Sequence, residues 1–248
     1  MGNKLVGTTS VKLGIYETST DTQLAGMVGD KKVFEDGRVF RLCKNGAVAL
    51  APGYLVQAPV QGSADDSINV AASASVGATE IVVDAVTSGT YAAHALAGGY
   101  LVACVTAGEI GTFYKIKDNT ALVNATEATI TLYDPLVVAL VGDTSNVSIC
   151  VSPYNGVVID ANSSPLVGVP LVVVAASTST VPVFFWALEN GYGPATATAV
   201  AISAGDYLEH SAGSVALITT GDIEGLVAVA VTAFAASEAG IVKYIAMG

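Results

Sequence analysis

The sequence predicts an all-β protein made of multiple small antiparallel β domains of sandwich or barrel type, with an extended N-terminal arm. Three observations carry that reading. Short runs rich in Val, Ile, Thr and Tyr recur along the 248 residues, the composition that suits a pleated, half-buried surface. Gly, Asn, Asp and Pro separate these runs at spacings of about 8–12 residues, the rhythm of sandwiches and barrels. Helical periodicity is missing: residues 85–97 (AVTSGTYAAHALA) alone leave room for a helical turn or two, and Gly89 weakens even that.

Taken in order, residues 1–33 read as the arm. Residues 33–42 (VFEDGRVFRL) then form a hairpin turning at Asp36-Gly37, a strong two-residue turn signal. Asn45-Gly46 and Pro52-Gly53 punctuate the next two strands, AVAL and YLVQAPV. Further strands are expected at 79–84, 100–105, 112–117, 128–133, 136–141, 146–151 and 156–160. The last third continues with 166–174, 181–187, 195–202, 214–219, 226–231 and 241–246. QGSADD (61–66) and NSSP (162–165) read as linkers, giving an arm and hairpin region over 1–62, a middle β domain over 63–162 and an acidic C-terminal β domain over 163–248. GYLV at 53–56 and again at 99–102 is too short and too common to establish a duplication.

Charge is sharply segregated. Lys4, Lys12, Lys31, Lys32, Arg38, Arg41 and Lys44 are seven of the ten cations, whereas residues 118–242 contain eleven Asp and Glu and no Lys or Arg. A body without guanidinium or ammonium groups builds no phosphate-gripping fork and no basic groove. With the net charge of −11, nucleic acid and anionic membrane are not expected partners. Charged residues are 12% of the chain, about half the usual share of roughly 25%. A surface so short of charge favours association, so a subunit of an assembly is expected. The longest apolar runs, 166–176 and 226–236, fall well below the ~20 residues of a spanning helix. The N-terminal residues lack the continuous apolar core of a signal peptide, and synthesis in a reducing cytoplasm is expected.

Reactive constellations are sparse. His94 has no acid nearby in sequence, and His210, after Asp206 and Glu209, is expected on an exposed strand edge. The nucleophile elbow G-x-S-x-G does not occur. Cys43, Cys104 and Cys150 are far apart, and the latter two sit in apolar runs, where buried reduced thiols are expected. Without C-x-x-C or H-x-x-x-H spacing, structural zinc is not expected. Asp65-Asp66 and Asp143–Asn146 do not match a calcium loop and read as turns. Gly191-Tyr192-Gly193 reads as a loop because Pro194 follows, not as a dinucleotide fingerprint. A glycosidase pair among Glu189, Glu209 and Glu224 remains open, against the scattered aromatics. The reading is therefore a non-enzymatic protein with no metal and no cofactor.

Phe184-Phe185-Trp186 is the bulkiest apolar cluster. In a strand Phe184 and Trp186 share one face and Phe185 takes the other. Burial of both faces implies a strand central to two layers, or a sandwich core plus a subunit contact; core is preferred, with interface next. Candidate interface residues are Leu5, Val11, Leu13, Tyr16 and Arg38 from the arm region, with Phe184 and Trp186.

Several stretches, FFWALENGYGPATATA (184–199), AGDYLEHSAGSVAL (204–217) and EGLVAVAVTAFAASEAGIVKYI (224–245), resemble head decoration (cement) proteins of tailed bacteriophages. EDGRVFRLCKNGAVALAPGYLVQAP (35–59) and GGYLVACVTAGEIGTFYKIKDN (98–119) resemble segments of phage structural proteins. The resemblance is one of pattern over most of the chain and contains no chemical motif. It implies a virion protein made in the bacterial cytoplasm, bound to the major capsid protein on the capsid surface, self-associated as a homotrimer, and bracing the shell. The arm would add a strand to a neighbour or to the shell. Another virion part (a tail, fibre or host-binding module) is the alternative, followed by an enzyme or adhesin.

Overall fold

The computed structural model describes residues 11–62, 65–84, 90–104, 108–123, 126–218 and 225–245. They form an all-β structure with one short 3-10 helix, Thr22–Met27, whose first turn is capped by the Asp21 carboxylate accepting from the Gln23 N–H. The chain divides into two compact units: Met1–Val60 together with Pro153–Gly248, and Gln61–Ser152.

The first unit contains β1 (Thr18–Ser19), β2 (Lys31–Val33), β3 (Val39–Asn45) and β4 (Val56–Gln57) from its N-terminal segment. The second unit contributes β5 (Ile68–Ala72), β6 (Glu80–Val83), β7 (Tyr100–Ala103), β8 (Phe113–Asn119), β9 (Ala128–Leu132) and β10 (Asn146–Cys150). After it the first unit resumes with β11 (Asn155–Ile159), β12 (Leu166–Pro170), β13 (Phe184–Thr196), β14 (Tyr207–Ser211), β15 (Ser214–Leu217), β16 (Leu226–Ala230) and β17 (Ala239–Tyr244).

β13 organises the first unit. Its first half pairs with β3 on one side and β12 on the other; β12 pairs with β4, β4 with β11, and β11 in parallel with β3. Those pairings close a ring. Its second half pairs with β17, which continues through β16 and β14 to β15. A parallel bridge Ala197↔Val215 brings the end of β13 back to β15, drawing a second ring together. One strand therefore serves two cores. Phe185 and Ala187 face the core with Cys43, Val56, Val157 and Val167, while Phe184, Trp186 and Leu188 face the core with Phe40, Leu42, Val242 and Tyr244. This is the strand central to two layers that the aromatic run allowed.

The second unit is a closed antiparallel barrel in the order β10-β5-β6-β9-β8-β7. Alternation is clear on β8, where Phe113, Lys115 and Lys117 point out while Tyr114 and Ile116 are buried. Closure satisfies both edges of every strand, so the fold does not need ionic surface to guard an open edge. Gly99 immediately precedes β7, beside the end of β10; a Cβ there would lie 2.1 Å from the Cys150 carbonyl oxygen.

Several expectations change. The linker reading gives three domains, but the contacts give two units. β3 is sewn to β11 and β13, so residues 11–60 and 153–245 share one body. The segment 162–165 is a turn inside it, held by the buried Gln57 side chain, which accepts from the Ala161 N–H and donates to Ser163. The arm is not extended over its described residues. Val11 is buried, the Leu13 carbonyl accepts from Trp186 Nε1 at 2.9 Å, β1 pairs with β13 and β2 with β3. Strands expected at 181–187 and 195–202 are joined: Gly191-Tyr192-Gly193 lies within β13, and the Pro194 carbonyl is used by the Tyr244 hydroxyl at 2.6 Å. Residues 136–141 form a single bridge, Leu140↔Ala74, and no strand. β5 is a strand beyond those expected, while β14 is the strand expected around His210. Residues 90–97 form a bridge and turns without a helix, and 85–89 lie outside the described residues.

Candidate functional site

An open groove of about 550 Å³ lies in the first unit where β13 and β17 run beside Tyr16 and Arg38. β13 and β17 are in register, with Tyr192 opposite Lys243 and Pro194 opposite Ile241, so period-two alternation places all four on one outward face. Tyr192 is 50% exposed and Ile241 51%. Tyr16, from the turn before β1, is 65% exposed and also lines the groove. Leu171 adds to an otherwise apolar lining.

Arg38 is the one charged residue in that lining. Its Nε donates to Asp36 Oδ2 at 2.7 Å, and its guanidinium lies 5.5 Å from the Phe34 ring and 5.8 Å from that of Phe40. Burial works against its charge, but bonding to Asp36 and Tyr16 outweighs burial and raises the pKa. The cation is thus held in place, its stem along apolar surface and its head at the groove.

Two glycines fix the floor. A Cβ on Gly193 would meet Leu188 Cδ2 at 2.2 Å, and one on Gly240 would meet Phe234 Cδ1 at 2.0 Å. Both directions lead to the core side of the sheet, where packing against Leu188 and Phe234 leaves no space for a side chain. Chemically the groove offers apolar area, two phenols and one fixed cation: it is equipped to hold a chain segment, with no nucleophile or base aimed into it.

The structure sorts the sequence candidates. Tyr16 and Arg38 come together in this groove. Leu13 is partly buried against the core, Val11 is buried, and Phe184 and Trp186 are wholly buried, so these are packing residues of this unit and not free contact residues. Leu5 lies outside the described residues. Sequence reasoning missed Tyr192, Pro194 and Ile241, because Gly191-Tyr192-Gly193-Pro194 reads as a loop until β17 is seen beside it.

Lys32 and Arg41 turn inward, and Lys31 lies near the same acid. Glu189 is buried and its Oε2 takes a 2.8 Å hydrogen bond from Arg41 Nε, with Lys31 Nζ 3.9 Å away. Arg41 also donates to the Gly29 carbonyl at 3.0 Å and lies over the Tyr154 ring. Lys32 is buried, donates to the Leu13 carbonyl and sits 4.3 Å from the Trp186 ring centroid. The segregated charge therefore stitches β2 and β3 to β13; docking by a free basic end is not what Lys31, Lys32 and Arg41 do.

The remaining polar candidates are also accounted for. His94, 77% exposed in its side chain, bonds Asp118 at 2.7 Å, an acid 24 residues away. His210 is not on an open edge: its Nδ1 lies 3.2 Å from Asp160, a fully buried carboxylate that also accepts from the Asn162 N–H. Asp65 accepts from Tyr91 and Gly62, and Asp66 accepts from Ser148. Glu189 is committed to Arg41, and Glu224 lies outside the described residues. Cys43 is buried and burial pushes its thiol pKa up, whereas Cys104 and Cys150 are only half-buried, not core thiols as expected. Among the described residues, no group of three or more His, Cys, Asp and Glu is placed to hold a metal ion. No described helix is long and apolar enough to cross a membrane.

A scan of protein-family models finds no match to this chain, and searches of curated proteins and of solved structures return none.

Proposed function

We propose that this chain is a structural virion protein that binds the outer surface of a phage capsid and stabilises it, acting as a homotrimer. The observation that carries the reading is the Tyr16–Arg38–Tyr192–Ile241 groove: a fixed apolar trough with one held cation, on a chain of net charge −11. Such a trough takes an extended segment of the major capsid protein, apolar residues packing on Tyr16, Tyr192 and Ile241 and an acceptor meeting Arg38. Three copies multiply modest single-site affinities through avidity. The barrel and ring architecture suits bracing, since closed sheets resist shear without exposing edges. An acidic outer body would keep virions apart by like-charge repulsion. The sequence resemblance to head decoration proteins points the same way.

Co-sedimentation with assembled shells of the capsid protein encoded in the same genome tests this. Wild-type protein should pellet with shells, and Tyr16→Ser with Ile241→Ser should remain in the supernatant while melting like wild type. Equal pelleting of both proteins would overturn the groove assignment; no pelleting of wild type would overturn capsid binding.

A further inference from the structure

The barrel carries a second surface that the groove does not explain. Outward residues of three adjacent strands form a grid. Cys150, Tyr100 and Lys115 lie side by side across β10, β7 and β8, and Ser148, Val102 and Phe113 form the next row. Tyr100 and Phe113 stack at 5.1 Å with their planes 20° apart, although Phe113 remains 62% exposed. Lys115 lies 5.5 Å from the ring of Tyr133, itself 56% exposed, and Lys117 follows on the same outward face of β8. Beside the stack is a hollow of about 120 Å³, bounded by Tyr100, Val102, Phe113, Ser148 and Cys150. Exposed aromatic side chains gathered around a hollow mark an interaction surface.

Charge selects the occupant. Lys115 and Lys117 are the only cations between residues 45 and 242 of this chain. The complementary surface is an exposed aromatic flanked by carboxylates, and the chain itself supplies one on β14: Tyr207, 60% exposed, preceded by Asp206 and followed on its own face by Glu209. We propose that the aromatic–lysine face of the barrel is a self-assembly site that receives the Asp206–Tyr207–Glu209 patch on β14 of a second copy. Tyr207 packs on the Tyr100–Phe113 stack while Glu209 meets Lys115 or Lys117. Since the two surfaces differ, the contact is head-to-tail, and it closes into a ring or runs on as a filament. The proposal rests on the reading of the chain as a self-associating virion protein and names the surface responsible.

Sedimentation velocity of the full chain tests it, with circular dichroism melting as the folding control. Wild type should form an oligomer at micromolar concentration. Phe113→Ser should dissociate it, and Lys115→Glu with Lys117→Glu should weaken association by about tenfold, the size expected when exposed attractive pairs become repulsive. Glu209→Lys added to that doubly reversed chain should restore association. Monomeric wild type, undiminished assembly of the reversed chain, or no recovery in the combined variant would overturn the proposal. High salt gives a second reading on wild type alone: weaker association is expected, and stronger association contradicts the ionic part. Shell co-sedimentation of the Phe113→Ser monomer, whose groove is intact, separates this site from the capsid reading, since residual shell binding is expected even where self-assembly is lost.

Discussion

Arg41→Met isolates the ion pair that joins the N-terminal segment to β13. Glu189 is only 7% exposed in its side chain and takes its one short side-chain bond, 2.8 Å, from Arg41; Lys31 stands farther off at 3.9 Å and is 45% exposed. Deleting one partner of a buried pair typically costs about 3–5 kcal/mol, because the remaining charge is left desolvated. Arg41 is 24% exposed, so solvent and Lys31 recover part of that, and about 2–3 kcal/mol is expected. At about 2–4 °C per kcal/mol for a unit of this size, the melting midpoint should fall by roughly 5–10 °C. The double variant Arg41→Met with Glu189→Met should regain most of the loss, because it leaves no orphaned charge. Thermal unfolding followed by tryptophan fluorescence reads this unit directly, since Trp186 is the chain's one tryptophan and belongs to the same unit. A midpoint within 1 °C of wild type for Arg41→Met, or a double variant weaker than the single, would refute the argument that segregated charge serves internal stitching.

Trp186→Phe should destabilise the first unit by about 1–3 kcal/mol, as it removes one of the two donors to the Leu13 carbonyl, Lys32 being the other, and shrinks a wholly buried side chain; urea unfolding measures it. Gly99→Ala should lower the barrel's transition and leave the tryptophan-detected one in place, because its Cβ would strike the Cys150 carbonyl at 2.1 Å; calorimetry resolves the two. Burial lowers the Lys32 pKa below 10.5, with Glu17 pulling weakly the other way. Between the lowered folded value and 10.5 the unfolded chain binds the proton more tightly, so this lysine's contribution to stability rises with pH across that window. Lys32→Met should lack that rise, read as the difference between the two proteins' urea midpoints over an alkaline pH series.

What was legible in the sequence was local. Asp36-Gly37 does turn the hairpin of β2 and β3, with Gly37 at φ 84° and Val33 paired to Val39. The Phe184-Phe185-Trp186 run announces burial on both faces, and that follows from period two alone. Long-range pairing was not legible. Glu189 meets Arg41 across 148 residues, and nothing near either one marks the partner. The parallel pairing of β11 with β3, which makes the barrel an insertion, has no turn signal; the 61–66 linker does fall at the start of the barrel, but 162–165 reads as a boundary where the chain only turns. The groove is half legible for the same reason: Tyr16 and Arg38 are among the sequence candidates, while Tyr192 and Pro194 sit in a glycine and proline pattern that normally spells a loop, and nothing local places Ile241 beside them.

Binding isotherms on intact shells address the central claim most directly, titrating wild type against the Tyr16→Ser/Ile241→Ser variant with Arg38→Ala alongside. Saturable binding by wild type that weakens by at least about tenfold in each variant, without loss of melting temperature, is the predicted outcome. Saturable binding that all three proteins share equally, or no binding by wild type, contradicts it.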